Sequence, residues 1–312
     1  MIPGSASPFF LGASKATGGG AAGYQIERSL RFNSSDSAYL SRSVSTVTDR
    51  RTFTVSFWVK RTAFSGGGGP GDHSTIFWAG DGNTDNTFFN IAFLSGSSGA
   101  NLNIGFSTFG YNTTATFRDV SAWYHFVVAV DTTQASNANK IKIYQNGVLI
   151  SQPADNSLTQ NFQTAVNNTV GTHTIGRASF TGSTGNVYYL NGYLADFYLI
   201  DGQALDATAF TEVSATTGQL IPKTYTGTFG TNGFWLKFSD NSAATAATLG
   251  KDYSGNSNNW TPNNLSVTAG AGNDSLVDTP TSYGCILNTY ASIGARSPLN
   301  FSVPFTRTWS NG

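Results

Sequence analysis

Thr52-Phe53-Thr54-Val55-Ser56-Phe57-Trp58-Val59-Lys60 is the stretch that decides the fold. Phe53, Val55, Phe57 and Val59 fall on one face of an extended chain, while Thr52, Thr54, Ser56 and Lys60 fall on the other. That is the period-two alternation of a half-buried strand. A helix would spread the same four apolar side chains around its circumference.

The alternation continues outward from this stretch. Trp123 to Val130 is apolar on both faces and predicts a central strand. Lys140-Ile141-Lys142-Ile143-Tyr144 alternates again and meets Asn146-Gly147 before Val148-Leu149-Ile150. Asn-Gly between apolar runs predicts a type I′ hairpin, since both central residues need positive φ. Tyr188 to Ile200 predicts a further strand or hairpin around Asn191-Gly192. Helix is nearly absent; Asp206-Ala207-Thr208-Ala209-Phe210 is a short turn with Asp206 as N-cap. Ser65 to Gly71, with its run of glycines, is a surface excursion. Short strands with Gly- and Asn-rich turns predict an all-β, two-sheet antiparallel sandwich.

Residues 1–24 are expected to be an extended N-terminal arm, because Pro3, Pro8 and Gly18-Gly19-Gly20 break regular structure. Phe9, Phe10 and Leu11 would be costly to expose, so they are candidate assembly-anchor residues or pack back on their own domain.

The 312 residues include 17 Lys and Arg against 17 Asp and Glu, and charged residues make up 11%. Nucleic acid is not an expected partner, because that affinity rests on dense positive charge; the nearest approach is Arg50-Arg51 with Lys60-Arg61. Cys285 is alone, so neither an internal disulfide nor a thiolate metal cluster is expected. The start Met1-Ile2-Pro3-Gly4-Ser5 lacks the features of a secretory signal, and the apolar run Phe126 to Val130 is too short to span a bilayer. Synthesis in a cytoplasm without membrane insertion is the expectation.

Catalytic groups are sparse. Glu27 and Glu212 are the two glutamates, and neither has a carboxylate two or four residues away. Glycoside hydrolysis by a retaining pair needs carboxyls about 5 Å apart, which alternate residues of one strand would supply. His73, His125 and His173 are the histidines; His125 falls in the predicted central strand and reads as a core residue. No Gly-x-Ser-x-Gly or His-Glu-x-x-His motif occurs. The reading is therefore a protein without a catalytic centre. Asp81-Gly82-Asn83-Thr84-Asp85-Asn86 alternates oxygen ligands in a glycine-containing loop, which suits a hard cation, so Asp81, Asn83 and Asp85 are candidate metal ligands. The twelfth position counted from Asp81 is Ala92, so the bidentate Glu of an EF-hand is missing, and a hydrogen-bonded Asx turn is the simpler reading of the loop. Asp240, Asn241 and Asp252 form a second, weaker set. Trp78, Tyr111 and Trp260, like Phe109, lie in or beside loop-like stretches and are candidate ligand-binding aromatics, the simpler reading of each being rim packing.

In order along the chain, Leu30-Arg31-Phe32-Asn33 with Tyr39-Leu40, the Phe53 to Lys60 strand, Trp123 to Asp131 with Ile143-Tyr144-Gln145-Asn146-Gly147, and Ile175-Gly176-Arg177 with Leu190 to Phe197 and Gln203-Ala204-Leu205 resemble the laminin-G-like, concanavalin-A-like jelly-roll superfamily. The resemblance is to the members encoded by tailed bacteriophages. It implies a jelly roll over residues 25–267. In the usual family order, a strand and an Asp-x-Ser-Gly-Asn-x-Asn turn precede the Leu-Arg-Phe strand. Here Phe234-Trp235-Leu236-Lys237-Phe238 and Asp252 to Asn259 come after it. Residues 233–267 are thus expected to complete the sandwich in permuted order, the alternative being a second module. Residues 268–312 are expected to be an irregular extension or linker.

The resemblance also implies a function. The expectation is a non-enzymatic virion protein (a tail fibre, spike or head decoration) exposed on the virion surface, partnered by other virion proteins and by itself as a homo-oligomer. Its lectin-like domain would bind a host surface glycan. No cofactor is required; Ca²⁺ at a sandwich rim is a family habit that the Asp81 loop could serve. The alternatives are a soluble, Ca²⁺-dependent lectin outside any particle and, last, a glycan-cleaving enzyme.

Overall fold

The computed structural model describes residues 23–64, 73–80, 88–94, 100–107, 109–151, 158–180 and 186–282. The strands, in chain order, are β1 (Ser29–Phe32), β2 (Tyr39–Ser43), β3 (Thr52–Arg61), β4 (His73–Gly80), β5 (Phe88–Leu94), β6 (Asn101–Phe106), β7 (Phe109–Thr116), β8 (Tyr124–Asp131), β9 (Ile141–Gln145) and β10 (Val148–Ser151). They continue with β11 (Thr172–Ile175), β12 (Arg177–Phe180), β13 (Asn186–Tyr189), β14 (Gly192–Asp201), β15 (Thr211–Val213), β16 (Leu220–Pro222), β17 (Phe234–Leu236), β18 (Thr261–Asn263) and β19 (Ser275–Leu276).

Two large antiparallel sheets result. The first runs β10-β9-β8-β3-β14-β1-β19 with β17 also on β14; the second runs β18-β2-β11-β4-β5-β6-β7. This is the jelly-roll sandwich that the alternation predicts. Phe53, Val55, Phe57 and Val59 are completely buried between the sheets. They meet Phe77, Phe89, Ile91 and Phe93 of the facing sheet. Phe57 stacks on Phe197 at 5.5 Å and Phe197 on Phe234 at 6.1 Å, so rings from three strands form one column. Burying each such side chain stabilises the fold by roughly 1.5–3 kcal/mol.

The opposite face of β3, read in the sequence as polar and half-exposed, is also covered. Thr54 and Ser56 are fully buried. A second apolar layer lies over them, built from Val127, Tyr198, Ile200, Ala207, Phe210, Tyr225 and Trp235. Thr54 mediates between the layers: its hydroxyl donates to the Gln203 carbonyl at 2.7 Å and accepts from the Leu205 N–H at 2.8 Å. Asp206 caps the following short turn through the Thr208 N–H, as expected.

Asn146 and Gly147 both have positive φ, and β9 and β10 pair across them as a hairpin. Asn191-Gly192 is different. Here β13 pairs with β12, and the chain then crosses to β14 in the other sheet. The glycine is needed for close approach, since a Cβ on Gly192 would sit 2.6 Å from the Lys60 carbonyl oxygen.

Residues 233–267 give a strand to each sheet. β17 pairs with β14 through Phe197, Tyr198 and Leu199, beside the stretch Gly192 to Leu194 that pairs with β1. β18 pairs with β2. Packing also runs past residue 267. β19 pairs with β1, Arg31 bridges to Asp274 at 3.0 Å, and Lys60 and Trp123 both hold Asp278. Ile26 and Thr281 exchange two hydrogen bonds of 3.0 Å, so the two ends of the described chain lie side by side against the first sheet.

Candidate functional site

The outer faces of the two sheets differ in kind. That of the first is sealed by the second apolar layer. In the second sheet, Arg42 is the one Lys, Arg, Asp or Glu among the strand residues. Arg42 lies on the same side of β2 as the core residue Leu40 and donates to the Asn232 carbonyl at 3.0 Å and to the Asn258 amide oxygen. The outward side chains of this sheet are therefore neutral.

Strands β5 and β6 turn Phe89, Ile91, Phe93, Leu102, Ile104 and Phe106 inward, and β7 turns Phe109, Tyr111 and Ala115. Period-two geometry sends their alternates outward. Cross-strand pairing then aligns Trp78, Asn90, Gly105 and Gly110 in one row, and Ala92, Asn103 and Asn112 in the next. The result is a shelf. Gly110 and Asn112 are exposed and Asn103 is half-buried, whereas Trp78, Asn90, Ala92 and Gly105 of the same rows are buried. A Cβ on Gly105 would lie 3.3 Å from both Asn103 Oδ1 and Phe88 Cε2. Asn103 donates to the Tyr111 carbonyl at 3.3 Å and to Asn112 Oδ1 at 2.7 Å, which fixes its amide plane. Asn90 is 2% exposed, and its Oδ1 has no hydrogen-bond partner. A buried acceptor left unpaired costs about 1–3 kcal/mol, which the surrounding packing offsets.

The residues singled out in the sequence are distributed otherwise. Trp78 is buried: it stacks on Phe88 at 5.1 Å and meets Phe180 edge-on at 4.5 Å under the β12–β13 hairpin. Trp260 is wholly buried against Phe234, 4.9 Å between ring centres, and offers no face to a ligand. Both candidacies as ligand platforms are corrected in favour of packing, Trp78 under the β12–β13 hairpin and Trp260 in the core on Phe234. Tyr111 packs half-buried on the core, with its hydroxyl bonded to that of Ser151. Asp81, Asn83 and Asp85 lie outside the described residues, as do Phe9, Phe10 and Leu11. In the second metal set, Asp252 is saturated by N–H donors from Trp235, Ser254 and Asn258 and by the Ser254 hydroxyl. Asp240 forms an exposed Asx turn with Ser242. No group of three metal-ligating side chains occurs among the described residues.

Two buried ionisable groups lie over the first sheet. His125 Nε2 and the Ser56 hydroxyl are 2.9 Å apart, and burial pushes the imidazole down to about 3, so it stays neutral. Asp196 stands at a bulge of β14 with φ of 50°. It accepts from Tyr24, Tyr198 and the Trp235 indole. Burial raises its carboxyl to about 6 despite these donors. Both are enclosed by packing.

The shelf residues were missed in the sequence because pairing register, not spacing, unites them. The signal that could have found them is the lack of Lys and Arg from His73 to Phe117, together with Asn101-Leu102-Asn103 between Gly-rich turns.

A family profile described as concanavalin A-like lectin/glucanases superfamily matches residues 32–209. No curated protein matches the chain. Among solved structures, it is similar to the heptameric SAP-like pentraxin of Limulus polyphemus, at 18% identity and a TM-score of 0.40, covering 58% of this chain and 79% of that one. It is similar to the NanB sialidase of Streptococcus pneumoniae at 13% identity and a TM-score of 0.40, covering 60% of this chain but 28% of the sialidase. A third is the CBM40 of the Ruminococcus gnavus IT-sialidase, at 16% identity and a TM-score of 0.37, covering 55% and 84%.

Proposed function

The chain belongs to the concanavalin A-like lectin/glucanases superfamily, and from that premise we propose that it is a non-catalytic glycan-binding protein serving as an adhesion component of a phage virion. The observation that carries glycan binding is the outer part of the shelf: the exposed Asn112 amide and Gly110 backbone, the half-buried Asn103 amide held by Asn112 and the Tyr111 carbonyl, and the half-buried Phe88 ring. Sugars are recognised by such planar amides, which match hydroxyl pairs, and by aromatic rings that cover their C–H faces.

The absence of Asp and Glu from the second sheet's strands supports a binding role over glycan cleavage, which needs an acid and a base at the bond. The virion role rests on the resemblance to phage-encoded members.

Screening the full-length protein on a glycan array should reveal bound glycans, and Gly110→Val should abolish them. The Gly110 position has room for a side chain, the nearest atom to a Cβ there being Asn103 Nδ2 at 3.7 Å, so the fold should be unaffected. Binding that survives this substitution would displace the site from the shelf. Mass spectrometry of purified particles tests the virion role; absence from particles would leave a free lectin.

A further inference from the structure

Among the described residues, Arg177 is a half-buried cation with no anion to face. Arg28, Arg31, Arg42, Arg50, Arg51 and Arg61 each hold an acceptor, and Arg118 is exposed. Arg177 opens β12, in which Ala178 and Phe180 pack down on Trp78 together with Tyr188 of β13. By alternation Arg177 lies on the other face of this hairpin, directly opposite Tyr189. Tyr39 of β2, on the side away from the core residue Leu40, meets both. Its ring centre is 4.8 Å from the guanidinium carbon and 6.5 Å from the Tyr189 ring centre. Stacking on a ring face orients a guanidinium but leaves its in-plane N–H groups unpaired. Nε is enclosed and has no hydrogen-bond partner. The two terminal nitrogens also lack one among the described residues, but they are not enclosed. The hydroxyls of the half-buried Tyr39 and Tyr189 are likewise unbonded among the described residues. No Asp or Glu occurs in β2, β11, β12, β13 or β18. Holding a cation partly out of water without an anion is costly, so the arrangement favours a ligand that brings one.

One guanidinium offers one charge and a planar pair of donors, which a carboxylate matches with its two oxygens. Sulfate and phosphate present tetrahedral oxygens and are better served by clusters of cations or backbone N–H groups. These strands supply a single outward cation. We propose that Arg177, Tyr39 and Tyr189 form a carboxylate-binding site, the guanidinium fork taking the two oxygens and the phenol hydroxyls donating beside it. The site lies at the β18–β2 end of the second sheet, and the hairpin over Trp78 stands between it and the shelf. It is independent of the glycan-binding reading, since an acidic sugar and an acidic side chain carry the same group.

The test titrates the isotope-labelled full chain with sodium acetate, sodium glucuronate and a blocked aspartate, with glucose and sodium sulfate as controls. Nuclear magnetic resonance follows the Arg177 Nε–H and the backbone amide of Ala178. The expected result is a saturable shift of both signals with the carboxylates and none with glucose. Tighter binding of glucuronate marks an acidic sugar as the source, and tighter binding of the aspartate marks a protein side chain; either outcome supports the site. Affinity should fall by about threefold as NaCl rises from about 0.05 to about 0.5 M, because the pair is reached by solvent. Arg177→Lys keeps the charge without the fork and should weaken binding by about tenfold, read from the Ala178 amide. Tyr189→Phe keeps the ring and should weaken it by about threefold. Gly110→Val should leave carboxylate binding unchanged, so the two sites fail separately. Absence of a saturable shift with every carboxylate, or wild-type affinity in Arg177→Lys, would overturn the proposal. So would tighter binding of sulfate than of any carboxylate.

Discussion

His125 and Asp196 sit inside the layer over the first sheet, and burial moves them in opposite senses. The imidazole, pushed down to about 3, is neutral when folded and charges in the unfolded chain near its ordinary 6.5. Its contribution to stability is complete above pH 6.5 and is lost as pH falls toward 3. His173, likewise down to about 3, repeats this behaviour. Asp196, raised from 3.8 to about 6, acts the other way: it favours the folded state fully below pH 3.8 and loses that effect as pH rises through 6. In His125→Asn the loss of stability between about pH 6 and 4 should be shallower than in the wild type, by about 1.4 kcal/mol per pH unit. Asp196→Asn should make that loss steeper by a similar amount. Urea denaturation across this range measures both, and identical pH slopes in all three proteins would contradict the assignment. His125 could be read as buried because its strand is apolar on both faces. Its bond to Ser56 could not, since the two come from strands paired far apart in the chain.

Among the elements, β14 does the most joining. One edge pairs with β3; the other pairs with β1 and then β17, on either side of the Asp196 bulge. Sequence order alone could not place β17; the permuted position was legible only through family resemblance. The two Asn-Gly pairs show why local signals stop short. At 146–147 the dipeptide closes a hairpin, whereas at 191–192 an incoming carbonyl demands the glycine. Dipeptide chemistry is the same in both, and packing decides. Ending the chain after Val213 would strip the Phe197 to Leu199 edge of its partner and remove Trp260 from the core. An unpaired apolar edge invites aggregation, so this truncation should yield insoluble protein. A soluble product with cooperative unfolding would show β17 and β18 to be dispensable.

For the whole molecule, the two sheets differ: one is buried on both sides, while the other is covered by the β12–β13 hairpin at Trp78 and opens a neutral outer surface at β7. Alternation along each strand made the sandwich readable. The shelf was not, because it is a property of one sheet's collected surface, summed from strands that look unremarkable singly. The contact between Ile26 and Thr281 has a topological consequence. From residue 23 to residue 282 the backbone is nearly a closed ring, so within that span the point at which it is opened can be moved without loss of packing. Joining residue 282 to residue 23 by a short linker, and opening the ring at the exposed turn between Thr216 and Thr217, would carry β16 to β19 ahead of β1. That rearranged gene would restore the strand order implied by the family resemblance. It should encode a soluble protein with the same circular dichroism spectrum as the original.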